Sequence, residues 1–251
     1  MSIYLSQRPI MIKDRLQQVR KQIDQAERLA QRQPGSVCLL AVSKTKPITA
    51  IIEAYQAGQR HFGENYVQEA LGKQHALGAF DISWHFIGPI QANKTKLIAA
   101  CFAWVHSVDS LKIAQRLSTQ RPNQLPPLNI CLQVNISHEA SKSGICLAEL
   151  PELYNKISKL PGLCVRGVMA IPAPEIEYER QCRPYRELYQ AVMRLDQAQF
   201  DTFSFGMSGD LQAAIAEGST LVRIGTALFG ERHYNNDDVN ALNLKASEPS
   251  P

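Results

Sequence analysis

Apolar residues follow two rhythms along this chain. From residue 12 to residue 29 they recur every three or four positions, with Ile12, Leu16, Val19, Ile23, Ala26 and Leu29 on one face. That spacing predicts an amphipathic opening helix. Beyond it, short apolar runs alternate with helix-length segments. The runs are "VCLLAVS" (37–43), "RHFGE" (60–64), "SWHFIG" (83–88), "WVHSV" (104–108), "LNICLQVNI" (128–136), "LCVRGVMAI" (163–171), "TFSFGM" (202–207) and "TLVRIG" (220–225). Each reads as a strand. Helix punctuation lies between them: Pro47 ahead of "ITAIIEAYQAG", Gly58 behind it, and "LAELPELYNKISKLPG" closing on Pro and Gly.

Eight strands, each leading to a helix, within 251 residues predict an α/β fold, a single (β/α)8 TIM barrel. A doubly wound open sheet is the rival. It calls for a Gly-rich first βα turn, and "AVSKTKP" contains no glycine. The expected organisation is a helix over 1–36 packed on the barrel, the barrel over 37–230, and a fraying polar tail over 231–251.

Composition narrows the function. The chain is 45% hydrophobic, enough for a large core, with ordinary Gly and Pro usage. The opening "MSIYLSQRPIMIKDRL" lacks an apolar stretch of signal-peptide length, and no run is long enough for a bilayer, so a cytoplasmic protein away from membranes is expected. Six scattered cysteines without CxxC spacing argue against disulfides and against zinc. The net charge of +4 is spread along the chain, with no basic run interleaved with aromatics. Nucleic acid is a poor partner on that pattern, and a small anion a better one.

In a barrel of this kind the site lies at the C-terminal strand ends, and Lys44 directly follows the first strand. Glu64, Asn65, His85, Ser107, Asp109, Asn135, Ser137, Ser208 and Thr226 stand at or near other strand ends. Ordinary capping accounts for Ser107, Asp109 and Asn135. The loops after strands 7 and 8 read "GMSGD" and "IGTALFG", where barrels of this kind hold phosphate. Gly206, Gly209 and Gly225 permit close backbone approach there, and Ser208 and Thr226 add hydroxyls. Tight βα turns without a ligand are the competing reading. A GxSxG nucleophile elbow fails, because Asp210 occupies the place of its last glycine.

Arg223, within "LVRIG", shares its facing with Gly225 and points into the barrel. Buried, it needs an inward carboxylate or a ligand atom as partner. A lysine at strand 1, a phosphate cradle at strands 7 and 8 and an inward arginine describe a ligand with a phosphate at one end and an imine-forming carbonyl at the other. Pyridoxal 5′-phosphate (PLP) fits, with Arg223 facing the pyridine nitrogen. A class I aldolase acting on a phosphorylated sugar also satisfies the lysine and the phosphate, but leaves Arg223 unexplained.

The segments "LLAVSKTKP", "FGENYVQEA", "WHFIGPIQANK", "SKSGI", "GVMAIPAPE", "FGMSGDLQAAI" and "VRIGTALFG" resemble the YggS/PROSC family of PLP-binding proteins, across nearly all of 37–230. The resemblance implies a barrel like the N-terminal domain of alanine racemase. It implies a Schiff base on Lys44, Arg223 at the pyridine nitrogen, Ser208, Gly209, Gly225 and Thr226 around the phosphate, and Asn65 and Met169 along the ring. His85 is expected nearby, and Lys46 is either a neighbouring cation or a solvated lysine.

Racemisation takes a base on each face of the substrate, and racemases of this kind take one from a second domain. Only 26 residues follow the strand-8 run, too few for such a domain, and His85 and tyrosines such as Tyr66 are the remaining candidates. The expected function is a non-catalytic, monomeric PLP carrier in vitamin B6 homeostasis and amino- and keto-acid balance. PLP-dependent apo-enzymes or a regulatory protein are its candidate partners. A single-domain PLP-dependent racemase is the alternative.

Overall fold

A computed structural model describes residues 11–137, 139, 142–195 and 200–231. Eight parallel strands close into one barrel in sequential order. They are β1 (Cys38–Val42), β2 (His61–Glu64), β3 (Ser83–Phe86), β4 (Trp104–Val108), β5 (Leu128–Val134), β6 (Leu163–Ala170), β7 (Thr202–Ser204) and β8 (Leu221–Ile224). All eight runs read from the sequence are strands, and the open sheet is excluded by pairing of β8 with β1. Helices α1 (Ile12–Leu29), α2 (Ile48–Gln56), α3 (Val67–Ala76), α4 (Thr95–Cys101), α5 (Leu111–Gln120), α6 (Leu150–Ile157), α7 (Tyr178–Met193), α8 (Leu211–Ala216) and α9 (Thr226–Phe229) surround it. None among the described residues is long and apolar enough to cross a membrane.

Several strands end earlier than the apolar runs. β7 stops at Ser204 because Gly206 takes a left-handed φ of 87°, and an added Cβ there would lie 2.5 Å from the Ala214 Cβ. The chain turns there, from strand toward α8. The expected tail over 231–251 lies almost wholly outside the described residues, which end at Glu231.

Helix α1 packs on α2, α8 and α9 through Leu16, Val19, Ile23 and Ala26, all buried. Leu29 departs from the expected stripe and is 63% exposed. The last turn instead buries Glu27, whose carboxylate accepts from the N–H groups of Gly35 (2.9 Å) and Val37 (2.8 Å). A buried carboxylate with these donors is satisfied, and it anchors the segment that enters β1. The six cysteines are free, and no His/Cys/Asp/Glu cluster able to hold a metal is present among the described residues.

The barrel interior is unusual in chemistry. Inward positions of such barrels are mostly branched apolar residues. Here His85, His106, Ser204 and Arg223 are buried and hydrogen-bonded to one another in sequence, beside the more usual Leu40 and Met169.

Candidate functional site

Parallel pairing places the ends of β1 and β8 side by side. Ala41 is in register with Ile224, so Lys44 and the pair Gly225–Thr226 leave adjacent strands at the same rim. A Cβ on Gly225 would stand 3.4 Å from the Val42 carbonyl, so the loop after β8 lies against β1.

Lys44 is half-buried and sits between two residues held by a charged network. Ser43 Oγ donates to Glu64 Oε1 (2.6 Å), and Lys73 Nζ donates to the Ser43 carbonyl (2.7 Å), Glu64 Oε1 (2.7 Å) and Glu69 Oε1 (2.6 Å). Glu69 Oε1 also accepts from the Thr45 N–H at 2.5 Å. Thr45 is a β-branched residue at φ 62°, a conformation that costs about 1–3 kcal/mol and persists only where neighbours enforce it. The Lys73 network is that enforcement. Burial pushes the Glu64 carboxyl pKa up, against the opposing pull of Lys73 and Ser43.

Lys46 is not a freely solvated side chain. Its Nζ donates to the carbonyls of Gly230 (2.9 Å) and Glu231 (2.8 Å), fastening the loop after β1 to the chain leaving α9.

The loop after β7 is shaped by Asp210, the residue that broke the elbow motif. Its Oδ1 accepts from the Met207 N–H (2.6 Å), and its Oδ2 accepts from the Tyr185 hydroxyl (2.6 Å). Ser208 and Gly209 are exposed, and their backbone N–H groups meet no acceptor among the described residues. A Cβ on Gly209 would meet nothing within 4 Å, so there is room beside it.

Arg223 is 5% exposed and makes no salt bridge to a carboxylate among the described residues, against the inward-carboxylate reading; Asp210 acts on it only through space. Nη1 donates to Ser204 through both its carbonyl and, at 2.9 Å, its hydroxyl, and Nη2 donates to the Ala170 carbonyl at 3.0 Å. Three of five guanidinium N–H groups are thereby used. The other two find no acceptor among the described residues. Burial lowers the Arg223 pKa from its usual value, without neutralising so strong a base.

Asn65 and Met169 line one cleft of ≈ 290 Å³ at the barrel mouth, with Ile87, Gln133 and Lys142. The Asn65 backbone is pressed against Gly88, where a Cβ would collide with the Asn65 carbonyl; only glycine allows that approach. Asn65 Oδ1 is buried without a hydrogen-bond partner among the described residues, as is Glu64 Oε2. Lys44, Ser208, Gly209, Arg223, Gly225 and Thr226 do not line that cleft; they stand at the β1, β7 and β8 side of the barrel.

His85 is not at the mouth. Its imidazole is buried in the barrel between His61 and His106. Burial, then His106 and His61, hold its pKa well below the usual imidazole range. Tyr66, 56% exposed, precedes α3. Ser107 and Asn135 have structural roles but not as helix caps: Ser107 Oγ donates to the Gly88 carbonyl on the neighbouring strand's loop, and Asn135 Nδ2 donates to the Glu139 carbonyl. Asp109 caps nothing, since Ser110 is the N-cap of α5.

Lys73, Glu69 and Lys142 were not singled out in the sequence. Glu69 and Lys73 carried a signal, an i,i+4 acid–base pair on one helix. Lys142 lay within the quoted "SKSGI" but had no local sign of its position.

The family model described as alanine racemase, N-terminal domain, matches residues 15–233. The chain is 56% identical over 223 residues to the pyridoxal phosphate homeostasis protein of Pseudomonas aeruginosa, covering 89% of this chain and 96% of that one. It is 55% identical over 225 residues to the protein of the same name in Escherichia coli K12, covering 88% and 96%. The solved structure of PipY from Synechococcus elongatus PCC7942 with PLP bound superposes with a TM-score of 0.77 at 37% identity, covering 88% of this chain and 100% of that one.

Proposed function

Because the chain belongs to the alanine racemase N-terminal domain family, and within it to the pyridoxal phosphate homeostasis proteins, we propose that it binds PLP through Lys44 and serves PLP homeostasis as a carrier. When bound, PLP supplies an aldehyde that condenses with amines and an electron-withdrawing ring.

The observation that carries this reading is the rim shared by β1 and β8, where a half-buried lysine stands beside a glycine-lined turn and above a buried arginine with spare N–H groups. Each part fits one end of the ligand. Lys44 Nζ provides the amine, and the Lys73 network holds the residues on both sides of it. Ser208, Gly209, Gly225 and Thr226 take the phosphate, with two backbone donors and open space already at Gly209. Arg223 presents an N–H to the pyridine nitrogen. Asn65 offers its unpartnered amide oxygen, and Met169 its apolar surface, along the ring.

A carrier without turnover is favoured by two features. An arginine at the ring nitrogen disfavours its protonation and so weakens the ring as an electron sink. His85, one candidate for the second proton-transfer group that racemisation needs, lies in the core, hydrogen-bonded on both ring nitrogens, which leaves only tyrosines such as Tyr66 for that role.

The test is borohydride reduction of PLP-loaded protein followed by peptide mapping. One pyridoxyl group on the Lys44 peptide is expected, absent in Lys44→Ala. A label elsewhere, or none, overturns the site. Incubation with amino acids in heavy water separates carrier from enzyme: exchange of the α-proton that requires Lys44 would overturn the carrier reading and establish a single-domain PLP enzyme.

A further inference from the structure

A chain of hydrogen bonds runs through the barrel from its mouth to its opposite face. Arg223 Nη1 meets Ser204 Oγ (2.9 Å), Ser204 Oγ meets His106 Nδ1 (2.9 Å), His106 Nε2 meets His85 Nδ1 (2.9 Å), and His85 Nε2 meets His61 Nδ1 (3.1 Å). The residues come from β8, β7, β4, β3 and β2, and the link from β4 to β7 crosses the barrel. His61 and His85 line a cleft of ≈ 400 Å³ at the N-terminal strand ends, with Cys38, Trp104, Arg166 and Asp201.

The polarity of this chain follows from its charged end. A guanidinium only donates, so Ser204 Oγ accepts from Arg223 and has its own hydrogen to place. Among the described residues the acceptor in reach is His106 Nδ1. His106 therefore carries its proton on Nε2 and donates it to His85 Nδ1. His85 in turn carries its proton on Nε2, shared between His61 Nδ1 and Ser83 Oγ at 3.2 Å. His61 is left with Nε2–H. The reverse polarity would place two donors on Ser204 Oγ and leave its hydroxyl hydrogen without an acceptor in a buried position, an expensive arrangement. Burial keeps all three imidazoles below their usual pKa, consistent with a neutral chain.

We propose that Ser204, His106, His85 and His61 form a one-directional hydrogen-bond relay that positions Arg223 at the barrel mouth and ends in the cleft on the opposite face. Its members are positioning residues. By taking the second Nη1 hydrogen, beside the Ser204 and Ala170 carbonyls that take one each of the others, the relay adds the contact that completes the setting of the guanidinium plane and so the direction of the N–H groups left for a ligand. Its consequence for PLP rests on the function proposed above; its polarity does not.

The experiment is long-range proton–nitrogen correlation on ¹⁵N-histidine-labelled protein without PLP, at neutral pH. His85 and His106 are expected as neutral Nε2–H tautomers; an Nδ1–H tautomer or an imidazolium at either overturns the relay. Ser204→Ala and Ser204→Thr are then compared in the same spectra and, after loading with PLP, in cofactor retention and visible absorption maximum. Ser204→Ala is expected to mix the His106 tautomers, to shift the absorption maximum and to weaken PLP retention about tenfold. Ser204→Thr, which keeps the hydroxyl, is expected to restore all three. Unchanged tautomers and retention in Ser204→Ala overturn the proposal, and the wild-type spectra decide it should that variant fail to fold. Wild type that takes up no PLP, while showing the expected tautomers, overturns the cofactor reading and leaves the relay supported.

Discussion

Mild acid is expected to destabilise the PLP-free protein through its core histidines. His106 is fully buried, and its pKa is pushed down to about 3 by burial and then by Arg223. In the unfolded chain an imidazole titrates near 6.5. The folded state therefore binds this proton more weakly than the unfolded state. The stability attached to the group is complete above the unfolded pKa and is lost as the pH falls through it toward the folded value. Between pH 7.5 and pH 5.5 His106 alone removes about 1.4 kcal/mol, or about 4 °C of Tm in a chain of this size. His85 and His61 act in the same direction, since burial lowers both. Glu64 and Asp109 act oppositely, because burial raises their carboxyl pKa values and the folded state then takes up protons first. Stopping at pH 5.5 limits their share. Urea unfolding at pH 7.5, 6.5 and 5.5 measures the loss, with His106→Gln alongside to remove one of the titrating groups. Wild-type stability that is flat over this range, or a His106→Gln profile as steep as that of wild type, refutes the reasoning.

Lys73→Met should cost about 3 kcal/mol, because it leaves the Glu64 carboxylate buried without its cation; adding Glu64→Gln should recover most of the loss, and equal losses in denaturant would contradict the pairing. Gly206→Ala is expected to lose about 2 kcal/mol or more by thermal unfolding, since alanine at φ 87° also meets the Ala214 Cβ. Leu16→Ala should cost about 3 kcal/mol in urea and Leu29→Ala less than about 0.5 kcal/mol, although both stood on one predicted face; similar losses would mean that α1 packs differently.

The barrel was legible because its signals are local. Eight β-rich runs with Gly and Pro punctuation between helix-length segments are readable in windows of a few residues, and their number and order suffice for the closed sheet. The strand that leads to Lys44 and the glycine-bearing turns after β7 and β8 are equally local. Arg223 was placed inward by alternation alone. Its partners were not, because the Ser204 and Ala170 carbonyls come from β7 and β6, and only closure of the sheet brings them to it.

The same limit explains the misreadings. His85 looked like a mouth residue because it is near the end of an apolar run, but β3 ends at Phe86 and its imidazole lies between neighbouring strands. A solvated Lys46 was one of two readings because its acceptors, the Gly230 and Glu231 carbonyls, are more than 180 residues away along the chain. Leu29 kept the apolar spacing of α1 into a turn where the body it packs on has ended. Periodicity and turn chemistry act between residues that are near in sequence, and those determined the strands, most of the helix faces and the place of the lysine. Hydrogen bonds and burial act between residues that are near in space, and in a barrel these are commonly a βα unit or half the chain apart. The histidine chain, the Lys73 network and the environment of Arg223 were therefore decided only when the eighth strand met the first.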